Sequence, residues 1–268
     1  MFDNDDGSLK YAHDAGIYTP GVEASIGDRS PLDPAQLLLA SPRVFLCFGQ
    51  SNAANHGLGS YTPKRGVFCF NQMDSSFYAA SDPLPGATGN GGSVWGRFGD
   101  ALIHNPSPAP VVIATIAFGG SYIADWSPGG PLNRRLIFAI QRMLRSKLQI
   151  SAMLWWQGEA EANLSEMKRE RYKSRFLALV RQVRDAGIGS PFFVARSTLC
   201  ATEIHPYDNR NEIRSAQAEL VDRALGIFSG PDTDQIGLDG RFDGCHFNEA
   251  GLASAARLWA DVITGQSR

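Results

Sequence analysis

Short, uniformly apolar runs that alternate with segments of helical periodicity constrain the fold more than any other feature of the sequence. Within each run, apolar residues stand at consecutive positions, as expected of strands that helices cover on both faces. Strands that alternate with helices favour a parallel sheet built from βαβ units. Five strands are predicted, at residues 43–48, 67–71, 111–117, 152–156 and 192–196.

Helical periodicity occupies the intervals between these runs. Apolar residues recur three and four positions apart after Pro131 and again between Tyr172 and Val183, beyond which Gly187 is a stop signal. A last helix is predicted to begin near Asn248, because asparagine is a preferred N-cap. This alternation predicts an α/β fold, a three-layer α/β/α sandwich with a central parallel five-stranded sheet.

The first part of the chain differs in composition from the rest. Residues 1–38 are rich in Asp, Gly, Pro and Ser with weak periodicity, which predicts an irregular N-terminal extension to a domain of residues 39–268. Residues 1–6 lack the basic segment and apolar core of a signal peptide. The sequence therefore leaves two locations open: the cytoplasm, or an exported protein whose leader has been removed.

Composition excludes several classes of function. With 25 basic and 27 acidic residues and no Lys/Arg-rich run, the chain is not expected to bind nucleic acid. The longest strongly apolar stretch, residues 111–118, is too short for a membrane span. The four cysteines show no metal-binding spacing. Cys47 and Cys69 fit the core, whereas Cys200 and Cys245 stand near loop ends, and pairing between them is left open.

Polar groups directly after the predicted strands are the candidates for function, because ligands of an open parallel sheet bind beyond the carboxyl ends of its strands. Ser51 follows the first strand in the segment GQSNA, Gly119 and Gly120 follow the third, and Gln157 follows the fourth. Taken alone, Ser51 also fits a helix N-cap, and the glycine pair fits a generic turn. Two glutamates just beyond Gln157 fit either a paired-carboxylate site or a cap of the next segment.

The segment DGCHFN before the last helix holds a second group of candidates. A carboxylate three residues before a histidine reaches the ring Nδ1, fixes the tautomer and leaves Nε2 to accept a proton from a nucleophile. Asp243 and His246 have this spacing. His56, close after Ser51 on its predicted helix, is a weaker candidate. We interpret His205, in the loop after the fifth strand, as a rim or structural residue.

Four motifs, in this order along the chain, resemble those of the SGNH hydrolase superfamily. They are GQSN at 49–52, GGS at 119–121, WWQGEAEA at 155–162 and DGCHFNEAG at 243–251. The segment from Arg214 to Gln217 resembles the R-x-A-Q helix of the family. Over about residues 39–265 the chain is similar to carbohydrate esterases of the sialate O-acetylesterase and acetylxylan esterase type. The resemblance implies the flavodoxin-like SGNH hydrolase fold.

The resemblance also implies a role for each matching residue. Ser51 would attack the acyl carbon, His246 would act as general base and then general acid, and Asp243 would orient His246. The N–H groups of Ser51 and Gly120 and the Gln157 side chain would form the oxyanion hole. Candidate substrate contacts are Gln50, Asn52, Gly119, Trp126 and Glu159.

The function so implied is that of a serine esterase that removes a small acyl group, first of all acetyl, from a carbohydrate. Trp126, ahead of Tyr122 and Trp95, is the aromatic candidate for stacking on the sugar. No metal or organic cofactor is expected, because a triad and an oxyanion hole suffice for acyl transfer. Two departures from the family pattern bear on the substrate: Ala53 replaces the usual Met, and Cys245 stands where Val or Ile is common.

Alternative functions remain on the same fold. One is a lipase or thioesterase acting on longer acyl esters, and another is a non-catalytic carbohydrate-binding protein. A classical α/β-hydrolase is disfavoured, because Ala53 interrupts the G-x-S-x-G elbow that its nucleophile requires.

Overall fold

The structure is a computed structural model that describes residues 26–64, 66–103, 109–201 and 209–265. Residues 1–25 of the predicted extension and His205 lie outside these ranges. Within the extension, helix α1 (Pro34–Leu39) begins after Asp33, whose carboxylate accepts a hydrogen bond from the Ala35 N–H (2.9 Å). The boundary of the extension at residue 38 stays a prediction.

One mainly parallel sheet lies at the centre of the described part of the chain. Its strands are β1 (Arg43–Gly49), β2 (Val67–Asn71), β3 (Ser76–Ala79), β4 (Val111–Ala117), β5 (Ile150–Trp156), β6 (Phe192–Arg196) and β7 (Ile227–Asp232). Their order is β3-β2-β4-β1-β5-β6-β7, and all neighbours pair in parallel except β2 and β3. The predicted parallel α/β architecture is confirmed.

The sheet has seven strands, so the predicted count of five is too low by its two edge strands. All five predicted strands are present. The missed strand β3 has only four residues and lies in a Gly/Pro/Ser-rich stretch that resembles a loop. The missed strand β7 contains Gly230 and Pro231, which are typical of strand edges and interrupt any apolar run.

Helices cover both faces of the sheet, which confirms the three layers. They are α2 (Val94–Ile103), α3 (Ile123–Trp126), α4 (Pro131–Arg145), α5 (Glu159–Ala162), α6 (Arg169–Asp185), α7 (Arg210–Glu219) and α8 (Glu249–Thr264). Leu136 of α4 and Phe176 of α6 belong to the apolar cluster on one face. Trp95 of α2 and Trp259 of α8 belong to the cluster on the other face. As predicted, α8 begins at Asn248, whose side chain accepts from the Gly251 N–H (2.9 Å).

The strand order reverses at β1 and thereby defines a crevice. Strands β2 to β4 lie on one side of β1, and β5 to β7 lie on the other. In α/β sheets such a reversal opens a ligand site beyond the carboxyl ends of the strands involved. The residues that follow β1, β4 and β5 therefore meet at this crevice. No helix within the described ranges is long and apolar enough to cross a membrane.

Candidate active site

The chain turns sharply after β1, and this segment (residues 49–53) is called the β1 turn below. Gly49 has a φ of +142°, and a Cβ there would lie 1.9 Å from the carbonyl oxygen of Trp156, so glycine is required. The Gln50 N–H donates to the same carbonyl (3.0 Å). Ser51 is buried and begins one turn of 3₁₀ helix, in which Gln50 occupies the N-cap position. The Ser51 hydroxyl makes no hydrogen bond within the described residues, so it does not cap a helix.

The predicted carboxylate–imidazole pair lies in the loop before α8, here called the histidine loop (residues 240–247). Asp243 Oδ2 lies 2.6 Å from His246 Nδ1. Asp243 Oδ1 accepts from the backbone N–H groups of Cys245 (2.9 Å) and His246 (2.6 Å). Partial burial acts to raise the pKa of Asp243, but these hydrogen bonds outweigh it and lower the pKa. An ionised Asp243 accepts a hydrogen bond from the Nδ1–H group and leaves His246 Nε2 as a proton acceptor.

Ser51 and His246 line one cavity of about 330 Å³. Four other predicted site residues line it as well: Gln50, Gly119, Gly120 and Glu159. The remaining lining comes from Tyr122 and His56, which were secondary candidates in the sequence, and from residues that were not predicted: Ala160, Asn163, Leu164, Cys200 and Cys245. The structure therefore brings together side chains from the ends of β1, β4, β5 and β6 and from the histidine loop.

Two backbone N–H groups on this cavity have no acceptor. Neither the Ser51 N–H nor the Gly120 N–H makes a hydrogen bond within the described residues. The Gly119 N–H, in contrast, donates to Thr88 Oγ1 (2.9 Å), and Gly120 follows it with a φ of +70°. Unpaired N–H groups beside a buried serine hydroxyl are suited to an oxyanion.

Gln157, the predicted side-chain donor of the oxyanion hole, does not line the cavity. It is fully buried, and its Nε2 donates to Gln50 Oε1 (3.1 Å), to the Ser121 carbonyl oxygen (3.2 Å) and to Glu161 Oε2. Its backbone carbonyl accepts from Gln217 Nε2 of α7 (3.0 Å). These contacts place Gln157 behind the cavity wall.

The two glutamates after Gln157 have structural partners. Glu159 Oε1 accepts from Asn52 Nδ2 (2.7 Å) and from Ser197 Oγ (2.7 Å). Asn52 is buried and also donates to the Cys245 carbonyl oxygen (3.4 Å), so it connects the β1 turn with the histidine loop. Glu161 accepts from the Ile123 N–H and from Gln157. Between the two alternatives of the sequence analysis, these contacts favour a structural role.

Trp126 does not contact the cavity, so its assignment as the sugar-stacking residue is wrong. It is fully buried in the apolar layer, and its Nε1 donates to Ser121 Oγ (3.0 Å). Trp95 is equally buried, and its Nε1 donates to the Ala53 carbonyl oxygen (2.7 Å). Trp95 lies in the first turn of α2 and Trp126 ends the short helix α3, and both side chains point into the core. Tyr122, 39% exposed, is the only one of the three aromatic candidates on the cavity wall.

His56 is the main residue that the sequence analysis undervalued. The helical turn after Ser51 ends at Ala53, so His56 is not on the predicted helix. Its ring stacks on that of His246 with 5.4 Å between centroids and 25° between planes, and its Nε2 lies 2.9 Å from Thr88 Oγ1. Burial, followed by the charge of His246, lowers the pKa of His56, while Asp243 acts in the opposite direction. The only feature of the sequence that could have indicated His56 as a site residue is its position five residues after Ser51.

A disulfide joins Cys200, after β6, to Cys245 in the histidine loop, and both cysteines line the cavity. Cys47 and Cys69 are buried and unpaired, as predicted. The same loop is held by Arg241, which donates to the Cys245 carbonyl oxygen and lies 4.2 Å from the centroid of the Phe247 ring. These contacts therefore hold the histidine loop on both sides of His246.

A family model described as "carbohydrate esterase, sialic acid-specific acetylesterase" matches residues 41–264. The chain belongs to this family. It is a carboxylic ester hydrolase, as the motifs predicted. No curated protein sequence matches the chain.

Solved structures similar to this esterase confirm the SGNH hydrolase fold. A protein from Arabidopsis thaliana is 19% identical with a TM-score of 0.70, over 83% of this chain and 98% of that one. NanS is 14% identical with a TM-score of 0.57, over 84% and 97%. A carbohydrate acetylesterase from Xanthomonas citri is 18% identical with a TM-score of 0.50, over 83% and 57%. At such identities the similarity shows the fold alone.

The candidate site consists of side chains and backbone N–H groups. Within the described ranges, no group of three or more His, Cys, Asp or Glu side chains is placed to hold a metal ion. The groups that the esterase presents to its cavity are a serine hydroxyl, an imidazole with a carboxylate behind it, and unpaired N–H donors. These are the groups that acyl transfer requires.

Proposed function

We propose that this esterase removes small acyl groups, in particular O-acetyl groups, from a carbohydrate through Ser51, His246 and Asp243. The observation that carries the proposal is the cavity that Ser51 and His246 both line, since a ligand in it would contact both residues. The hydrogen bond between His246 Nδ1 and Asp243 (2.6 Å) supports the role of His246 as general base.

In the proposed mechanism, His246 Nε2 takes the proton of Ser51 Oγ while Oγ bonds to the acyl carbon. The resulting oxyanion accepts hydrogen bonds from the N–H groups of Ser51 and Gly120. When the tetrahedral intermediate collapses, the bond to the sugar oxygen breaks and His246 protonates that oxygen. Water then attacks the acyl-enzyme with His246 again as base, which releases the carboxylic acid and restores Ser51.

The lining of the cavity supports a small acyl group and a sugar. Leu164, Ala160 and the disulfide sulfurs supply an apolar wall, and a volume of about 330 Å³ is at the small end of ligand pockets. Tyr122, 39% exposed, provides an aromatic ring that suits stacking on a sugar. The family description and the carbohydrate acetylesterase among the similar structures are in keeping with this substrate class.

The test compares the release of acetate, butyrate and octanoate from aryl esters, and of acetate from acetylated sugars. We expect the rate to fall with acyl length and Ser51→Ala to lower kcat by about 10⁴-fold or more. Ser254→Ala, on the exposed face of α8, is the matched control. A rate that rises with acyl length would favour the lipase alternative. Turnover that is independent of Ser51 would contradict the mechanism, and no turnover of any ester would favour the carbohydrate-binding alternative.

A further inference from the structure

The side chain of Gln50 is held in one orientation on the cavity wall. Its Oε1 accepts three hydrogen bonds, from Gln157 Nε2 (3.1 Å), from the Gly158 N–H (3.1 Å) and from the Ala160 N–H (3.2 Å). An amide nitrogen in that position would face three donors, so these contacts decide which end of the amide is oxygen. The nitrogen, Nε2, must lie on the opposite side.

Gln50 Nε2 has no acceptor within the described residues. It nevertheless keeps some solvent-accessible surface, since it is not one of the fully buried side-chain atoms that lack a hydrogen-bond partner. Gln50 lines the cavity together with Ser51 and Gly120, although only 3% of its surface is exposed. Because Nε2 is neither hydrogen-bonded nor fully buried, part of the small exposed area of Gln50 belongs to this atom, and the cavity is the surface that Gln50 lines. Such a donor meets either water or an oxygen of the substrate.

Gln157 cannot take the same role in this arrangement. Its Nε2 carries two hydrogens but faces three acceptors, one of them the carboxylate of Glu161. Glu161 is itself held by the Ile123 N–H. Gln157 therefore acts on the cavity only through Gln50, whose oxygen it holds.

We propose that Gln50 Nε2 is the side-chain donor of the oxyanion hole and that Gln157 is a positioning residue behind it. This inference rests on the proposed acyl transfer at Ser51. The residue before the nucleophile then donates through its side chain, while the Ser51 and Gly120 backbones donate through their N–H groups. The oxyanion receives three donors, and only one of them can be removed by substitution of a side chain.

The experiment measures kcat and KM for an aryl acetate in two variants of Gln50. Gln50→Glu keeps an oxygen for the three N–H donors and removes the donor toward the cavity, whereas Gln50→Met removes both. We expect kcat to fall on the order of 10²–10³-fold in each, with KM changed by less than about threefold, because the donor acts in the transition state. Gln235→Met, at an exposed remote position, is the matched control. Urea midpoints identify a variant that fails to fold, in which case the other variant decides.

A double-mutant cycle separates the two glutamines. Gln157→Leu alone should lower kcat by about tenfold or less, and in the Gln50→Met background it should have almost no further effect. A further fall on the order of 10²-fold in that background would identify Gln157 as the donor and overturn the proposal. Unchanged kcat in a folded Gln50 variant would also overturn it. Ser51→Ala in the same assay tests the proposed function: if it is inactive while the Gln50 variants are fully active, only the assignment of Gln50 fails.

Discussion

The β1 turn lies inside the molecule, whereas the histidine loop lies at its surface. Ser51 is 5% exposed, while the side chains of His246 and Asp243 are 24% and 38% exposed. The turn continues a central strand, and its backbone hydrogen bonds to the neighbouring strand at Trp156. The loop has no strand on either side; it is held by side chains, one disulfide and isolated backbone hydrogen bonds, such as those from the N–H groups of Leu58 to Phe247 (2.9 Å) and of Ala201 to Gly244 (3.0 Å).

This difference indicates how the two halves of the proposed catalytic pair are aligned. The sheet sets the position of Ser51, and fold stability as a whole maintains it. The position of His246 depends on a small number of contacts of its loop, among them the disulfide, the Arg241 guanidinium, and the Asn52 amide that reaches the Cys245 carbonyl oxygen. Changes that distort the backbone of the turn should therefore affect folding, and changes around the loop should affect the site first.

The largest effect is expected from Gly49→Ala. A Cβ at this position would lie 1.9 Å from the Trp156 carbonyl oxygen and would force β1 and β5 apart. We expect a loss of more than about 4 kcal/mol in the free energy of unfolding, measured by urea denaturation, or no soluble protein at all. Gly59→Ala is the matched control, because Gly59 also has a positive φ (+85°) but no atom within 4 Å of its Cβ position. The control should cost about 1–2 kcal/mol. Equal stability of the two variants would refute this account of the turn.

The next largest effect is expected from opening the disulfide. Cys200 and Cys245 are 45 residues apart, and a loop of this length corresponds to about 4 kcal/mol of chain entropy. We expect Cys200→Ser with Cys245→Ser to lose esterase activity at urea concentrations at which the near-UV circular dichroism of the buried tryptophans is still native. A reductant should reproduce this loss in the wild type and have no effect on the double variant. Wild-type activity that resists full reduction would show that the other contacts suffice to hold the loop.

The central features of the fold were predictable because buried strands and strand-end groups leave local patterns. Five strands are apolar on both faces, and Ser51, Gly119 and Gly120 follow two of them directly. Strands β3 and β7 were not predictable in this way, because edge strands bury one face or none and tolerate residues such as Pro231. Their pairing depends on the rest of the sheet.

The side-chain contacts of the site were less predictable than its backbone positions. Sequence order places Gln157 after β5 but does not show that Glu161 and Ser121 occupy its amide. In the same way, Trp126 follows a strand end, yet the short helix there turns it into the core. His56 reaches His246 only because the helical turn stops after Ala53. These outcomes depend on local turns and on partners distant in sequence.

The free energy of unfolding is expected to depend on pH through Glu161, which contacts the β1 turn by way of Gln157. Burial raises the pKa of Glu161 to about 7, against the hydrogen bonds from Gln157 and Ile123. Because this folded-state pKa lies above the value in the unfolded chain, the contribution of Glu161 to stability is complete below about pH 4.5 and is lost as the pH rises to 7. A shift of this size corresponds to about 3 kcal/mol. In Glu161→Gln this loss should be absent, whatever the stability of the variant at acidic pH.

The measurement is the free energy of unfolding of both proteins at pH 5 and pH 7.5. Glu166→Gln, at an exposed position four residues after Ala162, is the matched control and should keep the wild-type pH dependence. If Glu161→Gln also keeps it, Glu161 is ionised throughout this range and the buried carboxylate is better stabilised than its surroundings suggest.

The smallest effect is expected from His56, which joins the two regions because it follows the β1 turn and stacks on the ring of the histidine loop. An aromatic pair of this kind contributes about 0.5–1.5 kcal/mol, so His56→Ala should lower kcat/KM by roughly two- to twelvefold. His56→Phe keeps a ring without a titrating group and should retain most of the activity.

Since burial lowers the pKa of His56, the neutral ring is favoured in the folded protein, and its contribution to stability is present above about pH 6.5 and lost as the pH falls. The free energy of unfolding should therefore fall less steeply below about pH 6.5 in His56→Phe than in the wild type. A loss of activity of 10³-fold or more in His56→Phe would instead assign the imidazole a direct role in proton transfer.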